Sequence, residues 1–242
     1  MLRILHVLDH SLPVHSGYSF RTRAIMKAQE AAGHEVRGIT GQRQSSGSGA
    51  SGEAEEHAGL RFYRTPGTAR GRTGWREWRE IEALEMPVFI HPTNPRNPED
   101  LEGYNLANTV GMTSETSLCF ARMMLSGFLD EFPRLELIAS HGGGTLPYII
   151  GRLDQRWRQD SAVRTPSSRL TPSAYLRRLW FDALVYDERT MRFFVEAVGS
   201  DRILYGSDFP FRIGDMEGVI ARTNALPAGQ RDAILNGNSA RL

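Results

Sequence analysis

His91, His141 and Asp208 each stand at or just past the end of an apolar run, in the segments PVFIHP, LELIASHGGG and ILYGSDFPF. Imidazole nitrogen and carboxylate oxygen are donors that a borderline divalent ion such as zinc accepts. An ion left with an open coordination position polarises a substrate oxygen or activates water. An imidazole titrates at about 6.5 in model peptides, so a histidine can also move protons near neutral pH. Taken singly, each residue also has a plainer reading: a histidine at a strand end is commonly a hydrogen-bonded structural group. Asp208, after Ser207 and before Pro210, could be a helix N-cap. Three together, each ending an apolar run, point to a shared site.

The elements that must position them follow from the pattern. An apolar run reads as a buried strand of a parallel sheet, and a polar residue at its C-terminal end lies at the mouth of an α/β barrel. The intervals between the three residues are long enough for one or two βα units each. Ser114 to Phe132 carries Leu118, Ala121, Met124, Leu125 and Phe128 at helical spacing, which predicts a helix packed on the sheet by that face. Asp187 to Val198 reads as another helix, and Leu179 to Val185 (LWFDALV) as a further strand. Four strands with intervening helices make half of an eight-stranded barrel. The edges this leaves predict self-association, a possible homo-oligomer.

These segments, PVFIHPTNP, LELIASHGGGTLPYIIGRLD, FDALVYD and ILYGSDFPF, resemble in order the second half of the amidohydrolase-related family that includes aminocarboxymuconate semialdehyde and resorcylate decarboxylases. The resemblance covers roughly Ile81 to Leu242. It implies a metal-dependent TIM-barrel enzyme, a decarboxylase or hydrolase acting on a small carboxylated substrate. It makes His91 and Asp208 metal ligands, His141 the catalytic acid/base, and zinc or manganese the cofactor. Gly142 to Gly144 would let backbone come close to substrate. The sequence departs from the family in its first strand, where a His-x-His or Glu-x-His motif supplies two more ligands. His6, His10, His15, His34 and His57 form no such motif, and His6 and His10 on one strand face would lie ~13 Å apart. The reduced ligand set predicts weak metal binding and impaired or absent activity.

The first 80 residues read differently. Ile4, Val7 and Leu8 are strand residues, Arg21 to Ala32 is helical, Gly33 is placed to end that helix, and Val36 and Ile39 begin a second strand. Together with HSGYSFRTRAI and a third strand in GLRFYRTPG, this resembles the N-terminal domain of GT-B glycosyltransferases, whose matching loop and helix line the acceptor side of the cleft; Tyr18 and Arg21 read there as substrate contacts, or equally as a packing residue and a solvated helix residue. The plainer alternative is a βαβ unit of any α/β protein. The expected fold class is therefore α/β: a partial TIM (β/α) barrel, strands five to eight, in residues 81–242, preceded by a Rossmann-like βαβ fragment in residues 1–80. The join falls within 74–86, where Trp75 and Trp78 suggest a packed helical face. Alternatives to the enzyme reading are a glycosyltransferase fragment and a catalytically inactive chimeric chain.

Composition narrows the partners. Lys and Arg total 29 against 28 Asp and Glu, which argues for neither a nucleic-acid nor an anionic-membrane partner and leaves a small-molecule substrate. Arg152, Arg156 and Arg158 read as a solvated helix face. The single cysteine, Cys119, excludes an internal disulfide and reads as a buried thiol. MLRILHVLDHSLP lacks a signal-peptide pattern and no apolar run is long enough to span a bilayer, so a cytoplasmic protein is expected. Gln42 to Glu56 and Thr65 to Gly74 read as flexible loops.

Overall fold

The computed structural model describes residues 1, 3–8, 11–13, 17–40, 54–64, 75–85, 87–93, 95–209 and 211–242. His10, His15, the Thr65 to Gly74 loop, most of the Gln42 to Glu56 loop and the side chain of Tyr18 lie outside the described residues. The chain divides into two compact units, Met1–Arg72 with Phe209–Arg212, and Thr73–Asp208 with Ile213–Leu242.

In the first unit, β1 (Arg3–Leu8), α1 (Gly17–Ala31) and β2 (Glu35–Thr40) form the expected βαβ unit, with β1 and β2 parallel and Ile4 opposite Val36. Gly33, at φ 84, reverses the chain after α1, a conformation that glycine adopts without strain. The sheet continues through β3 (Ala54–His57) and β4 (Leu60–Arg64) in the order β1-β2-β4-β3. Residues Ala54 to Glu56, expected as loop, are strand. They pair antiparallel with β4 because Ala58 and Gly59 both take positive φ, 54 and 70, the two-residue turn that suits hairpin twist. Leu8, Met26, Val36, Leu60 and Phe62 form this unit's core. His6 Nε2 lies 2.7 Å from Gln29 Oε1 on the covering helix, and among the described residues His6 joins no group of potential metal ligands.

The second unit opens with α2 (Trp75–Ala83), whose two tryptophans pack as their spacing suggests. Trp75 stacks on Phe132 with ring centroids 5.2 Å apart, and Trp78 meets Phe128 edge-on at 5.1 Å. The apolar runs then give four short strands, β5 (Val88–Ile90), β6 (Leu137–Ala139), β7 (Trp180–Asp182) and β8 (Ile203–Leu204). They are parallel and adjacent in chain order, β5-β6-β7-β8, so their C-terminal ends share one rim. Between β5 and β6 the expected helix is divided into α3 (Met112–Leu125) and α4 (Phe128–Glu131) by Gly127 at φ 75. The buried stripe of α3 is also rotated from the expected one. Phe120, Ala121 and Met124 face the core together with Thr116 and Ser117, while Leu118 is exposed. The cause is polar: Thr116 and Ser117 hydrogen-bond to Ser140 and Thr145 in the loop after β6.

The remaining helices complete the layer. In α5 (Leu146–Gln159), Arg156 and Arg158 pair with Asp160 and Asp154 one turn away, and Arg152 is exposed, as a solvated face requires. After α6 (Pro172–Leu176) and β7, Asp187 caps α7 (Glu188–Val198) by accepting hydrogen bonds from the Arg189 and Thr190 backbone N–H groups. Cys119 is only partly buried, and desolvation pushes its thiol pKa up, with the Glu115 carboxylate adding to the effect. The chain ends with α8 (Met216–Asn224) and α9 (Ala228–Asp232). Asp215, not Asp208, caps α8. Among the described residues no helix is long and apolar enough to cross a membrane.

The core beneath the rim centres on Phe181 and Phe194, whose rings cross at 90° with centroids 5.6 Å apart and which are 0% and 2% exposed. Replacing Phe194 with alanine is expected to cost about 3–5 kcal/mol, the usual loss when a buried aromatic leaves a cavity. Urea unfolding followed by circular dichroism measures it directly.

Candidate metal centre

Each strand end delivers its polar residue to the same place. His91 follows β5 directly, His141 follows β6 after Ser140, and Asp208 follows β8 by four residues. One donor atom from each lies within 4.8 Å of the others, and all three side chains are partly buried. The His91 and His141 rings meet nearly edge-on, at 70° with centroids 4.7 Å apart. Zinc–nitrogen and zinc–carboxylate bonds run about 2.0–2.2 Å, so a donor triangle of this size fits one ion after small side-chain movements. Two neutral imidazoles and one carboxylate suit a borderline divalent ion, and three donors leave open positions for substrate or water. His10 and His15, considered as further ligands, lie outside the described residues; His34 and His57 are not in the cluster.

Local backbone strain marks the same residues. His141 and Asp208 both sit at φ 56, in the left-handed region that non-glycine residues seldom occupy. Such a conformation costs of order 1–3 kcal/mol and is held only where surrounding contacts enforce it. After His141 the chain stays left-handed through Gly142, Gly143 and Gly144. These glycines bring the backbone against neighbouring protein, a use the sequence reading assigned to substrate. A Cβ on Gly144 would lie 2.1 Å from the Thr113 carbonyl oxygen and 2.7 Å from Ser117 Oγ. Ser117 Oγ donates to Thr113 O at 2.7 Å and accepts from the Thr145 backbone N–H at 2.8 Å, tying the loop to α3.

The group that sequence reasoning missed is Asp182, the last residue of β7. Its Oδ2 accepts from the His141 backbone N–H at 2.8 Å, and its Oδ1 accepts from Gly142 at 2.7 Å and Leu184 at 3.2 Å. Burial pushes its carboxyl pKa up, and the three N–H donors act against that shift. A visible signal existed: a carboxylate inside the apolar run LWFDALV is costly to bury without partners. Nearby, the Tyr186 hydroxyl donates to the Ile213 carbonyl at 3.2 Å. Its pKa is pushed up to about 12, first by burial and then by the Asp208, Asp182 and Asp215 carboxylates, so the phenol stays protonated at neutral pH.

Comparison with known proteins places this chain among relatives. The amidohydrolase family pattern matches residues 19–242, taking in most of the first unit as well as the second. The match therefore runs through most of the segment for which a glycosyltransferase-like origin is the sequence expectation, and it assigns that segment to the amidohydrolase family instead. A 2-amino-3-carboxymuconate-6-semialdehyde decarboxylase of Dictyostelium discoideum is 32% identical over 162 residues, 66% of this chain and 45% of that protein. A gamma-resorcylate decarboxylase of Rhizobium sp. (strain MTP-10005) is 31% identical over 180 residues, 68% of this chain and 52% of that protein. The chain thus spans about half the length of the curated relatives it matches. Among solved structures, a dihydroxybenzoic acid decarboxylase of Polaromonas sp. JS666, with bound manganese and the inhibitor 2-nitroresorcinol, superposes with a TM-score of 0.61. That likeness covers 90% of this chain and 63% of the other at 21% identity, and it concerns the fold.

Proposed function

The chain belongs to the amidohydrolase family, and on that premise we propose that it is a metal-dependent decarboxylase of small carboxylated aromatic substrates. The four parallel strands of the second unit are read as the second half of the family's barrel. The observation that carries the reading is the convergence of His91, His141 and Asp208 on one rim with donor atoms inside 4.8 Å. The relatives' decarboxylase activities and the manganese in the Polaromonas enzyme support it.

The roles divide by chemistry. Asp208 and His91 would hold the ion, manganese or zinc, which would supply Lewis-acid polarisation of a substrate oxygen. His141 handles the proton. Decarboxylation replaces a carboxylate by hydrogen: the electron pair of the breaking C–C bond stays on the ring carbon, a proton joins that carbon, and CO2 leaves. A histidine at the edge of the same site can deliver that proton, and its left-handed backbone aims the ring toward His91. Tyr186, protonated and beside Asp208, adds a neutral polar group to the wall without competing for the ion.

The test is direct. Purified protein incubated with Mn2+ is assayed for CO2 release from 2,6-dihydroxybenzoate and related carboxylated phenols. Release that depends on added metal supports the reading. Stoichiometric metal without CO2 release from any of these points to a hydrolase or an inactive chain. A second reading, that the first unit is a glycosyltransferase-derived fragment, rests on the sequence resemblance alone: the parallel β1-β2-β4 arrangement is common to α/β proteins, and the family match from residue 19 onward weighs against it. In the same preparation, a thermal shift with a sugar nucleotide would favour it, and an unchanged melting curve would count against it.

A further inference from the structure

We propose that Asp182 is the positioning residue of this centre, fixing the backbone arms that carry His141 and Asp208 at the separation an ion needs. The proposal rests on the metal-centre reading and extends it to a residue that touches neither ion nor substrate. Three observations converge. On one side, both Asp182 oxygens are committed to backbone N–H groups of the strained turn, 2.8 Å from His141 N and 2.7 Å from Gly142 N. The third acceptance, from Leu184 at 3.2 Å, ties the carboxylate to its own chain just past β7. On the other side, the arm leading to Asp208 lies directly against Asp182: a Cβ on Gly206 would fall 2.8 Å from Asp182 Cβ.

One side chain therefore braces the arm of the proposed acid/base His141 and the arm of the proposed ligand Asp208, from the strand between them. β7 lies between β6 and β8 in the sheet, so among the described strands its end is the one adjacent to both arms. The chemistry is specific to a carboxylate. An aspartate offers acceptors only, and all three neighbours are donors. An asparagine of the same shape would turn an NH2 toward an N–H, leaving one or two buried donors without an acceptor. The left-handed conformation of His141 has these bonds as its visible restraint. Losing them lets the turn relax and carries the imidazole away from His91 and Asp208.

The experiment compares wild type with Asp182→Asn in two readouts. Mn2+ affinity by calorimetry is expected to fall ~10–100-fold, the range for losing a partner that orients a ligand. In metal-free protein with labelled histidines, the nuclear Overhauser contact between the His91 and His141 rings is expected in wild type and lost in Asp182→Asn. A cooperative melt establishes that the variant is folded. Should it fail to fold, Gly206→Ala replaces it, since that change displaces Asp182 while keeping its charge. Affinity within twofold of wild type with the ring contact intact overturns the proposal, as does failure of both variants to fold, which would make the role purely structural. If wild type itself binds no Mn2+, the decarboxylase reading fails alone, and the ring contact still decides the role of Asp182.

Discussion

Asp208→Ala is expected to abolish stoichiometric Mn2+ binding while leaving the fold in place. Asp208 supplies the only anionic donor in the cluster of His91, His141 and Asp208, and without it two neutral imidazoles face a divalent cation. The loss should exceed the roughly 10–100-fold that removing a mere supporting partner costs. Calorimetry on dialysed protein gives the number. A second substitution separates binding from stability. Asp208 is held at φ 56, so Asp208→Gly relieves backbone strain and should melt at or above wild type while binding no metal. An alanine variant that still binds one equivalent of Mn2+ at wild-type affinity would remove Asp208 from the centre. His91→Ala should behave like Asp208→Ala, and without any expected gain in stability.

His141→Asn carries the other large effect, this time on rate. A positioned acid or base contributes about 10^2–10^4-fold to turnover, and decarboxylation cannot finish without a proton for the ring carbon. Turnover should fall by that factor, with Mn2+ affinity reduced less than in Asp208→Ala, because His91 and Asp208, the proposed ligands, remain. Measuring kcat and metal affinity on one preparation distinguishes the cases. Equal losses in both would make His141 a ligand, and an unchanged kcat would deny it any part in the chemistry. Asparagine suits the test because, after glycine, it is among the residues best tolerated at positive φ. The strained turn at His141 thus survives the substitution.

Much of the site was legible because its signal is local. An apolar run followed by His or Asp needs no knowledge of distant contacts, and His91, His141 and Asp208 were each marked that way; the structure brings their donor atoms together. Asp182 escaped for the opposite reason. Its partners, the His141 and Gly142 N–H groups, lie on another strand's loop, and nothing in LWFDALV names them. The buried stripe of α3 differs from the expected one because side-chain size alone ranks Leu118 above Thr116 and Ser117. Hydrogen bonds to Ser140 and Thr145 turned the helix instead. Strand β3 was hidden since Ala58-Gly59 is not among the common hairpin dipeptides, and polar residues such as Glu55 and Glu56 read as loop. The glycines after His141 were recognised as a place of close approach, but which atoms approach depended on where α3 would lie.

His91 and Asp208 are proposed to hold one ion at the rim of the parallel sheet, with His141 close enough to exchange a proton with a substrate there. Crystals soaked in Mn2+, with diffraction recorded at the manganese edge, test it most directly. The expected result is a single anomalous peak about 2.0–2.2 Å from a nitrogen of His91 and an oxygen of Asp208, as for a borderline divalent ion on these donors, with the His141 ring beside it. A peak elsewhere on the molecule, or His91 and Asp208 on separate faces with no peak between them, would contradict it.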